Sequence, residues 1–436
     1  MAQERDELNK RRQERETRRK KREAEQRKLK IRLALAAVLL VISGVALSRL
    51  TLNAGPIAQD AVSVVATQAP TEAPTEAPTE PNRGSAPTTV IHIRAAGDLT
   101  VTDRVVGSAD TDLGYDYSGP FMDVAPLLAD ADLTMLNYEG NLVGPPYGTA
   151  TASAPQELMT ALADAGVDIV QMANSYSIHN GMIGLATTLN NIRAAGIEPV
   201  GAFATNAEFK AAKGYTICDV QGIKVAVVAF TKGMGGLGLP AGSENCVNVL
   251  YTDYATEYRK INKDGITAIL RNLAEEEPDI TIAMLHWGSE YNDTISETQQ
   301  DIVTLMQKNG VDIILGTHSH RVQELNHDTA TGNFIAYSLG DFFGDGAKDG
   351  TKYSILLDLE ITKDNETGIT KVTDYEYTPL YILSESEGKQ GRQVVRIAET
   401  MSAYDVNFVD KITSSAYTGM QTSLTRIGDR VVGKYK

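Results

Sequence analysis

Two closely spaced histidines follow an apolar run of this 436-residue chain. His318 and His320 lie two residues apart, so in an extended backbone both imidazoles point to the same face. That spacing lets both rings approach one metal ion or a pair of ions. Imidazole nitrogens together with carboxylate and amide oxygens suit zinc, manganese or iron. The pattern therefore predicts a divalent-metal site whose remaining ligands come from elsewhere in the chain.

Polar side chains also end four other apolar runs, and they include the residue types that such a site needs. A single Asp there is usually a cap, and a single His is usually packed or exposed. Recurrence at five strand ends favours one shared site, because sites in α/β proteins form beyond the carboxyl ends of strands. Three of the six histidines fall in this set. The four endings are Gly97-Asp98, Asn137-Tyr138-Glu139, Ala173-Asn174 and Leu285-His286-Trp287-Gly288.

The elements that must position these residues alternate between helices and strands. Helical spacing of apolar residues predicts helices over 156–166, 181–196 and 297–310, each ending in Gly before a Val or Ile. Glycine relieves the strain of a left-handed helix C-cap, and a β-branched residue suits the start of a strand. This repeated pattern predicts the α/β class. Further strands are predicted over 222–231, 333–342, 353–362 and 371–383. With few helices between them, these strands favour a layered sandwich to which antiparallel strands are added.

The N-terminal residues predict a membrane anchor. Residues 1–32 hold 14 Lys and Arg against 7 Asp and Glu. Residues 33–47 are apolar except for Ser43 and Gly44, and with Ser48 and Arg49 at the membrane interface the run extends to residue 50, near the lower length limit for a spanning helix. A buried core helix would have no neighbours to pack against here. A cleavable signal peptide would have a much shorter polar start and a small-residue cleavage site. By the positive-inside rule, residues 1–32 form a cytoplasmic arm and the residues after 50 lie outside the cell.

A linker and a large body follow the anchor. Residues 51–87 contain the repeat APTEAPTEAPTEP, in which proline at every fourth position blocks helix and sheet and favours an extended chain. The sequence predicts one domain over 88–383. It leaves the structure of the C-terminal extension, 384–436, open beyond one or two helices.

Charge and cysteine content exclude some functions. The net charge is −15, and because the arm carries +7, the rest of the chain carries −22. Such acidity argues against a nucleic-acid binder. Two cysteines cannot build a four-cysteine zinc site. An extracellular location would permit a disulfide between Cys218 and Cys246, and their spacing leaves that question open.

The order of these motifs resembles the CapA (poly-γ-glutamate capsule biosynthesis) family, whose fold is metallophosphatase-like. The most specific part is HWGSEY at 286–291, followed by G-x-H-x-H at 316–320 and YSLG at 337–340. The resemblance extends over nearly the whole stretch from 95 to 343. The matching segments are 95–105, 136–143, 171–197, 201–209, 224–231, 284–326 and 335–343.

The resemblance implies a fold, a location and a ligand set. It implies a four-layer αββα sandwich, held by the N-terminal transmembrane helix on the outer side of the plasma membrane of a Gram-positive bacterium. It also implies one or two divalent ions. Its metal residues map onto Asp98, Glu139, Asn174, His286, His318 and His320.

The chain departs from the family at residues that would perform acid catalysis. The family usually reads Asn-Asn-His where this chain reads Asn174-Ser175-Tyr176, and that His would be the natural general acid. Tyr176 has a much higher reference pKa and is a poorer proton donor. His179, where the family has Asp, would replace the imidazole or lie on the surface. Both are candidate catalytic residues. Asp341 stands where the family has Asn in YSLGN.

Two functions from different classes follow. In the first, the chain serves poly-γ-glutamate synthesis or export, binding that polymer or another cell-surface polymer beside membrane proteins of a synthase complex. A net charge of −22 opposes a polyanion unless metals or a local basic patch attract it. In the second, the chain is a metal-dependent cell-surface hydrolase of phosphoesters or amides, so the sequence leaves open whether it is an enzyme.

The hydrolase hypothesis assigns roles to several residues. Two cations (Mn, Zn or Fe), with Asp98 as the best bridging ligand, would activate a water and polarise a phosphoryl or carbonyl oxygen. Trp287 and Tyr291 would line the mouth of the cleft or pack beside the core. A nucleotidase-type phosphatase fits less well, because the Asp-x-His start expected there reads Asp98-Leu99-Thr100.

Overall fold

A computed structural model describes residues 87–388, 390–405 and 412–435. The predicted arm (1–32), the anchor (33–50) and the linker up to residue 86 lie outside these residues. Ala86–Lys436 forms one compact unit. Within the described ranges, no helix has both the length and the apolar character of a membrane span.

The described residues contain seventeen strands and ten helices. The strands are β1 (Thr88–Thr100), β2 (Asp110–Thr111), β3 (Gly114–Tyr115), β4 (Leu133–Glu139), β5 (Ile169–Gln171), β6 (Glu198–Val200), β7 (Thr216–Val220), β8 (Ile223–Thr231), β9 (Ile280–His286), β10 (Ile313–Thr317), β11 (Leu325–Asp328), β12 (Asn333–Ala336), β13 (Asp341–Phe343), β14 (Tyr353–Asp364), β15 (Thr370–Leu383), β16 (Gln393–Arg396) and β17 (Lys434–Tyr435). The helices are α1 (Asp103–Gly107), α2 (Ser118–Phe121), α3 (Ala125–Asp130), α4 (Gln156–Ala165), α5 (Gly181–Ala194), α6 (Asn206–Ala212), α7 (Lys263–Ala274), α8 (Glu297–Lys308), α9 (Ile397–Asp405) and α10 (Ser414–Gly428).

Two mixed sheets carry the fold. The first has nine strands in the order β16-β15-β14-β1-β4-β5-β6, with β13 beside β1 and β17 beside β15. Its strands β1, β4, β5 and β6 are parallel, whereas β14, β15 and β16 are antiparallel additions. The second has the order β11-β12-β10-β9-β8-β7, with parallel strands at its centre and an antiparallel strand at each edge. Strands β2 and β3 form a separate small pair.

Alternate side chains of the second sheet belong to different cores. On β8, Val225 and Val227 join the core that includes β1 and β4 of the first sheet. Their neighbours Ala226 and Val228 pack instead with apolar residues of α7 and α8. Because successive side chains of a strand point to opposite faces, the second sheet is covered by the first sheet's core on one side and by helices on the other.

The three helices predicted from the sequence are α4, α5 and α8. Each is followed by a glycine whose φ lies between 85° and 103°, as a left-handed helix end requires. Helix α8 also begins with a capping box, in which the Ser296 side chain accepts the Gln299 N–H and the Gln299 side chain accepts the Ser296 N–H. The predicted α/β class, with antiparallel strands added to parallel ones, is confirmed.

The chain after Leu383 continues the same unit. Strand β16 pairs with β15, β17 adds a short parallel pairing to β15, and α9 and α10 are the two helices of this segment. Elsewhere, Cys246 is a buried thiol whose Sγ lies 3.8 Å from Asn206 Oδ1, so the disulfide that the sequence left open is not formed.

A charged pair joins β1 to β14 on the face opposite the apolar residues of β1. Arg94 and Asp358 are directly opposed, and the Arg94 Nε and Nη2 atoms donate to Asp358 Oδ2 at 2.9 and 2.8 Å. Arg94 also donates to the carbonyl of Leu127. Although burial opposes it, hydrogen bonds from His92 and Arg94 hold the pKa of Asp358 below its usual value.

We expect Arg94→Gln to lower the free energy of unfolding by about 3 kcal/mol, because it removes the guanidinium charge and its two hydrogen bonds from a largely buried carboxylate and leaves it the bond from His92. The contribution of Asp358 is complete above the unfolded carboxyl pKa and is lost as the pH falls through the lower folded pKa. Urea unfolding of the full chain at neutral and acidic pH measures both effects.

The matched control is Arg259→Gln, because Arg259 and Glu257 form a pair 3.6 Å apart with 79% and 64% of their side chains exposed. Exposed pairs contribute little, so its urea midpoint should stay near that of the unaltered chain. Equal midpoints for the two variants would contradict the assigned role of Arg94.

Candidate metal centre

The carboxyl end of β1 is fixed by a close approach of two backbones. The Asp98 N–H donates to the Gly340 carbonyl at 2.9 Å, and Asp98 pairs in register with Asp341 of β13. A Cβ at Gly97 would lie 1.7 Å from the Gly340 oxygen, so only glycine fits there. This contact holds the carboxylates of Asp98 and Asp341 at neighbouring strand ends.

An amide holds the next carboxylate beside Asp98. Asn137 Nδ2, on β4, donates to Asp98 Oδ1 at 2.6 Å and to Glu139 Oε1 at 2.9 Å. All three side chains are buried. Burial raises the pKa of Asp98 and raises that of Glu139 well above its usual value, although the charge of His320 opposes both shifts.

His286 ends β9 in the second sheet and faces these carboxylates. Its Nδ1 lies 3.5 Å from Glu139 Oε1 and 3.2 Å from Thr317 Oγ1, and its Nε2 accepts the Ser175 N–H at 3.2 Å. Burial, together with the neighbouring His318, lowers the pKa of His286 well below 6.5. The ring is therefore neutral, which is the form that binds metals.

The two closely spaced histidines lie in a turn after β10. The sequence predicted an extended backbone here, but His318 and His320 have φ of 86° and 57°. This left-handed conformation is unusual for residues with a side chain, and it turns the chain back toward the first sheet. The His318 N–H donates to Asp98 Oδ2 at 3.1 Å, which anchors the turn. Both rings still reach the cluster, with centroids 6.2 Å apart.

His318 and His320 differ in protonation. Burial and the charge of Lys232 lower the pKa of His318 well below 6.5, and its buried Nδ1 has no hydrogen-bond partner. Burial opposes protonation of His320 too, but Asp341 and Glu139 raise its pKa well above 6.5. The His320 Nδ1 lies 2.7 Å from Asp341 Oδ1, so this carboxylate fixes the ring's orientation.

This donor set fits a divalent cation. Neutral imidazoles, as at His286 and His318, and carboxylate oxygens are the ligands that zinc, manganese and iron accept, and a cation bound at His320 would displace its proton. An unpartnered buried nitrogen on His318 is a ready ligand, and a cation would offset the burial of the carboxylates. Candidate ligand atoms lie within 4.8 Å of one another in three groups of side chains. The groups are Asp98–Glu139–His286, Asp98–His320–Asp341 and Glu290–His318–His320.

Asn174 lies beside the cluster, where its side-chain amide forms hydrogen bonds with neighbouring residues. Its Nδ2 donates to Asn137 Oδ1 at 3.1 Å and to the Tyr138 carbonyl at 2.7 Å, while its Oδ1 accepts the Tyr176 N–H at 3.0 Å. Through the bond from its Nδ2, Asn174 orients the amide of Asn137. The metal-ligand role predicted for Asn174 stays a prediction.

The two candidate catalytic residues occupy different positions. Tyr176 is half-buried near the carboxylates, and burial and the charge of Glu139 raise its pKa to about 12. His179 is exposed, with its Nε2 3.3 Å from the Ala150 carbonyl and its ring 5.7 Å from that of Tyr176. The structure thus brings Tyr176 to the edge of the site and leaves His179 at the surface. Their catalytic roles stay predictions.

Aromatic residues beside the site divide between core and mouth. Trp287 is buried, stacks on Tyr337 and donates its indole N–H to the Tyr337 carbonyl at 3.0 Å, so it belongs to the core. Tyr291 is 39% exposed and stacks on His320 with centroids 5.5 Å apart. Of Trp287 and Tyr291, the two residues predicted to line the mouth of the cleft, Tyr291 is the one at the solvent-exposed side of the site.

Three members of the cluster were not proposed from the sequence as ligands or supports. Asn137 precedes Glu139 by two residues on one strand, so their shared face was a usable signal. Asp341 and Glu290 stand in short motifs already noted, YSLGD and HWGSEY. Nothing in their local sequence indicates that both approach the turn containing His320.

Comparison with known proteins gives consistent matches. A family model described as "Bacterial capsule synthesis protein PGA_cap" matches residues 92–345. The PGA biosynthesis protein CapA of Bacillus subtilis (strain 168) is 26% identical over 314 residues, 67% of this chain and 77% of that protein. The capsule biosynthesis protein CapA of Bacillus anthracis is 28% identical over 269 residues, 59% of this chain and 61% of that protein.

Among solved structures, the calcineurin-like phosphoesterase YfkN from Bacillus subtilis aligns with 79% of this chain and 99% of that chain, at 16% identity and a TM-score of 0.39. The stretch matched by the family model contains every clustered residue from Asp98 to Asp341.

We expect Gly97→Ala to lower the free energy of unfolding by about 1–3 kcal/mol, because the added methyl group must push β13 away from β1. The same shift separates Asp98 from Asp341 and should reduce bound metal. Thermal unfolding and metal analysis of the full chain measure the two effects.

Gly107→Ala is the control, since a Cβ there meets no atom within 4 Å. It should leave both quantities unchanged or slightly raise stability. If the Gly97 variant behaves like the Gly107 variant, the close approach does not position the site.

Proposed function

Because the chain belongs to the bacterial capsule synthesis protein PGA_cap family, we propose that it acts in poly-γ-glutamate capsule biosynthesis with divalent ions held by its buried cluster. The observation that carries this proposal is the convergence of Asp98, Glu139 and three histidines from two sheets. Buried carboxylates are costly unless they are paired or coordinate a cation. The residues therefore support a resident metal better than a purely structural role.

The chain's own residues would organise the site. A bound cation would act as a Lewis acid on a carbonyl or phosphoryl oxygen of the substrate. Asn137 keeps the carboxylates of Asp98 and Glu139 together by donating to both. Asp341 orients His320 through Nδ1 and leaves its Nε2 3.9 Å from Glu139 Oε2.

The location is part of the proposal. We propose a single-pass protein of the plasma membrane with a cytoplasmic N-terminus, an anchor at 33–50 and an extracellular αββα domain, working beside membrane proteins of a synthase complex. The basic arm and apolar run of the sequence support it. Protease added to intact cells should remove the domain and spare the arm; full protection of the domain would contradict the proposal.

A second candidate function is hydrolysis of an amide or phosphoester at the same site. The observation that favours it is the opening of the cluster to solvent, where exposed Glu290 lies within 4.8 Å of ligand atoms of His318 and His320. Tyr176 opposes efficient acid catalysis, because a phenol with a pKa of about 12 is a weak proton donor at neutral pH.

We expect the full-length chain to bind manganese or zinc and to be stabilised by it, by about 2.7 kcal/mol at a free metal concentration of 100 times Kd. His318→Ala should lose most of that gain, because it removes the unpartnered buried nitrogen. Elemental analysis and thermal unfolding with and without metal provide the measurements.

His327→Ala is the matched control, since His327 lies outside the cluster with its Nε2 3.1 Å from the Val372 carbonyl. It should keep full metal content. Metal-free unaltered protein, or equal metal content in the two variants, would overturn the metal centre.

The same preparations separate the two functions. Turnover of oligo-γ-glutamate or a simple phosphoester with manganese, abolished by Asp98→Ala, would establish the hydrolase. Silence on both substrates with metal retained would favour a polymer-binding component of the synthase complex.

A further inference from the structure

A basic pocket lies between the loop that follows β13 and helix α10. Its volume is about 380 Å³, and it is lined by residues 346–350, 352 and 353, by Tyr381 of β15 and by one face of α10. The lining contains three cations, Lys348, Lys352 and Arg426, and one carboxylate, Asp349. This excess of positive charge contrasts with the −22 carried by the chain after its basic arm.

The cations of this basic pocket are available to an incoming anion to different degrees. Lys348 is exposed and makes no ion pair with a described residue; its Nζ lies 5.9 Å from the centre of the Tyr291 ring. Arg426 pairs with Asp349 at 2.7 Å, with 40% and 69% of the side chains exposed. Such an exposed pair is weak, so an incoming carboxylate can exchange with Asp349. Lys352 is held more firmly by Glu387 at 2.7 Å.

The basic pocket adjoins the candidate metal centre. Tyr291 connects them, because its ring centre lies 5.9 Å from Lys348 Nζ and 5.5 Å from the centre of the His320 ring, on which it stacks. The backbone connects them too, since the chain runs from Asp341 through β13 directly into the pocket loop. A ligand longer than one residue can therefore contact both sites.

We propose that the basic pocket binds free carboxylates of poly-γ-glutamate and holds the polymer beside the metal centre. The inference rests on the proposed function. Poly-γ-glutamate carries one free α-carboxylate per residue, so adjacent residues can engage Lys348 and Arg426 together. The positive lining supplies the attraction that an otherwise acidic domain lacks. Helix α10 lies beyond residues 92–345, so this wall is formed by the chain's C-terminal extension.

The test is direct binding of fluorescent oligo-γ-glutamate to the manganese-loaded full chain. Lys348→Glu combined with Arg426→Glu should raise Kd about tenfold or more, because two attractions become repulsions. The matched control, Lys210→Glu combined with Lys308→Glu, changes net charge equally on α6 and α8, away from the basic pocket. It should raise Kd far less.

A second variant guards against misfolding. Lys348→Gln removes an exposed charge with no ion pair, so it should fold normally and still weaken binding by about three- to tenfold. Metal content is measured for every variant. Unchanged affinity in both pocket variants, or no binding by the unaltered chain, would overturn the inference. If the unaltered chain held no metal, that result would instead contradict the proposed function.

Polyphosphate of similar length distinguishes the source of the anion. Oligo-γ-glutamate should bind more tightly than polyphosphate, and its affinity should fall more when Lys348 is replaced. Tighter, Lys348-dependent binding of polyphosphate would assign the basic pocket to a phosphate polymer and contradict the proposal.

Discussion

Desolvation of the carboxylates at the strand ends is the constraint on which the rest of the structure depends. Asp98 and Glu139 are almost completely buried, and removing an ionised carboxylate from water costs several kcal/mol even after relaxation. Asn137, the His318 N–H and the charged His320 offset part of that cost. The raised pKa of both carboxylates indicates that the compensation is incomplete. A divalent cation is the chemical species that would complete it.

The apolar packing of the two sheets supplies the stability that offsets the cost of burying these carboxylates. Strands β4 and β9 are buried along their whole length, and each fully buried aliphatic side chain contributes about 1.5–3 kcal/mol. The same packing fixes the strand ends so that residues far apart in sequence meet. The contact between Gly97 and Gly340 shows how closely the backbones must approach for this to occur.

Charge is distributed unevenly over the domain. The chain after its basic arm is acidic as a whole, the metal centre brings buried carboxylates together where a cation would bind, and the basic pocket gathers Lys348, Lys352 and Arg426. Tyr291, whose ring centre lies 5.9 Å from Lys348 Nζ and 5.5 Å from the His320 ring centre, joins these regions without adding charge. Under the proposed function, an anionic polymer would meet attraction at this pocket rather than over the surface generally.

The sequence by itself determined the α/β class, the helix–Gly–strand units and the polar strand ends, because these depend on residues a few positions apart. It also indicated residues that meet in space, since Asp98, Glu139, His286, His318 and His320 lie in one cluster. Tertiary structure decided the left-handed turn at His318, the supporting roles of Asn137 and Asn174, and the exposure of His179. It also decided that α10 forms a wall of the basic pocket. These depend on packing between segments up to 220 residues apart, as in the bond from His318 to Asp98, and no local pattern encodes them.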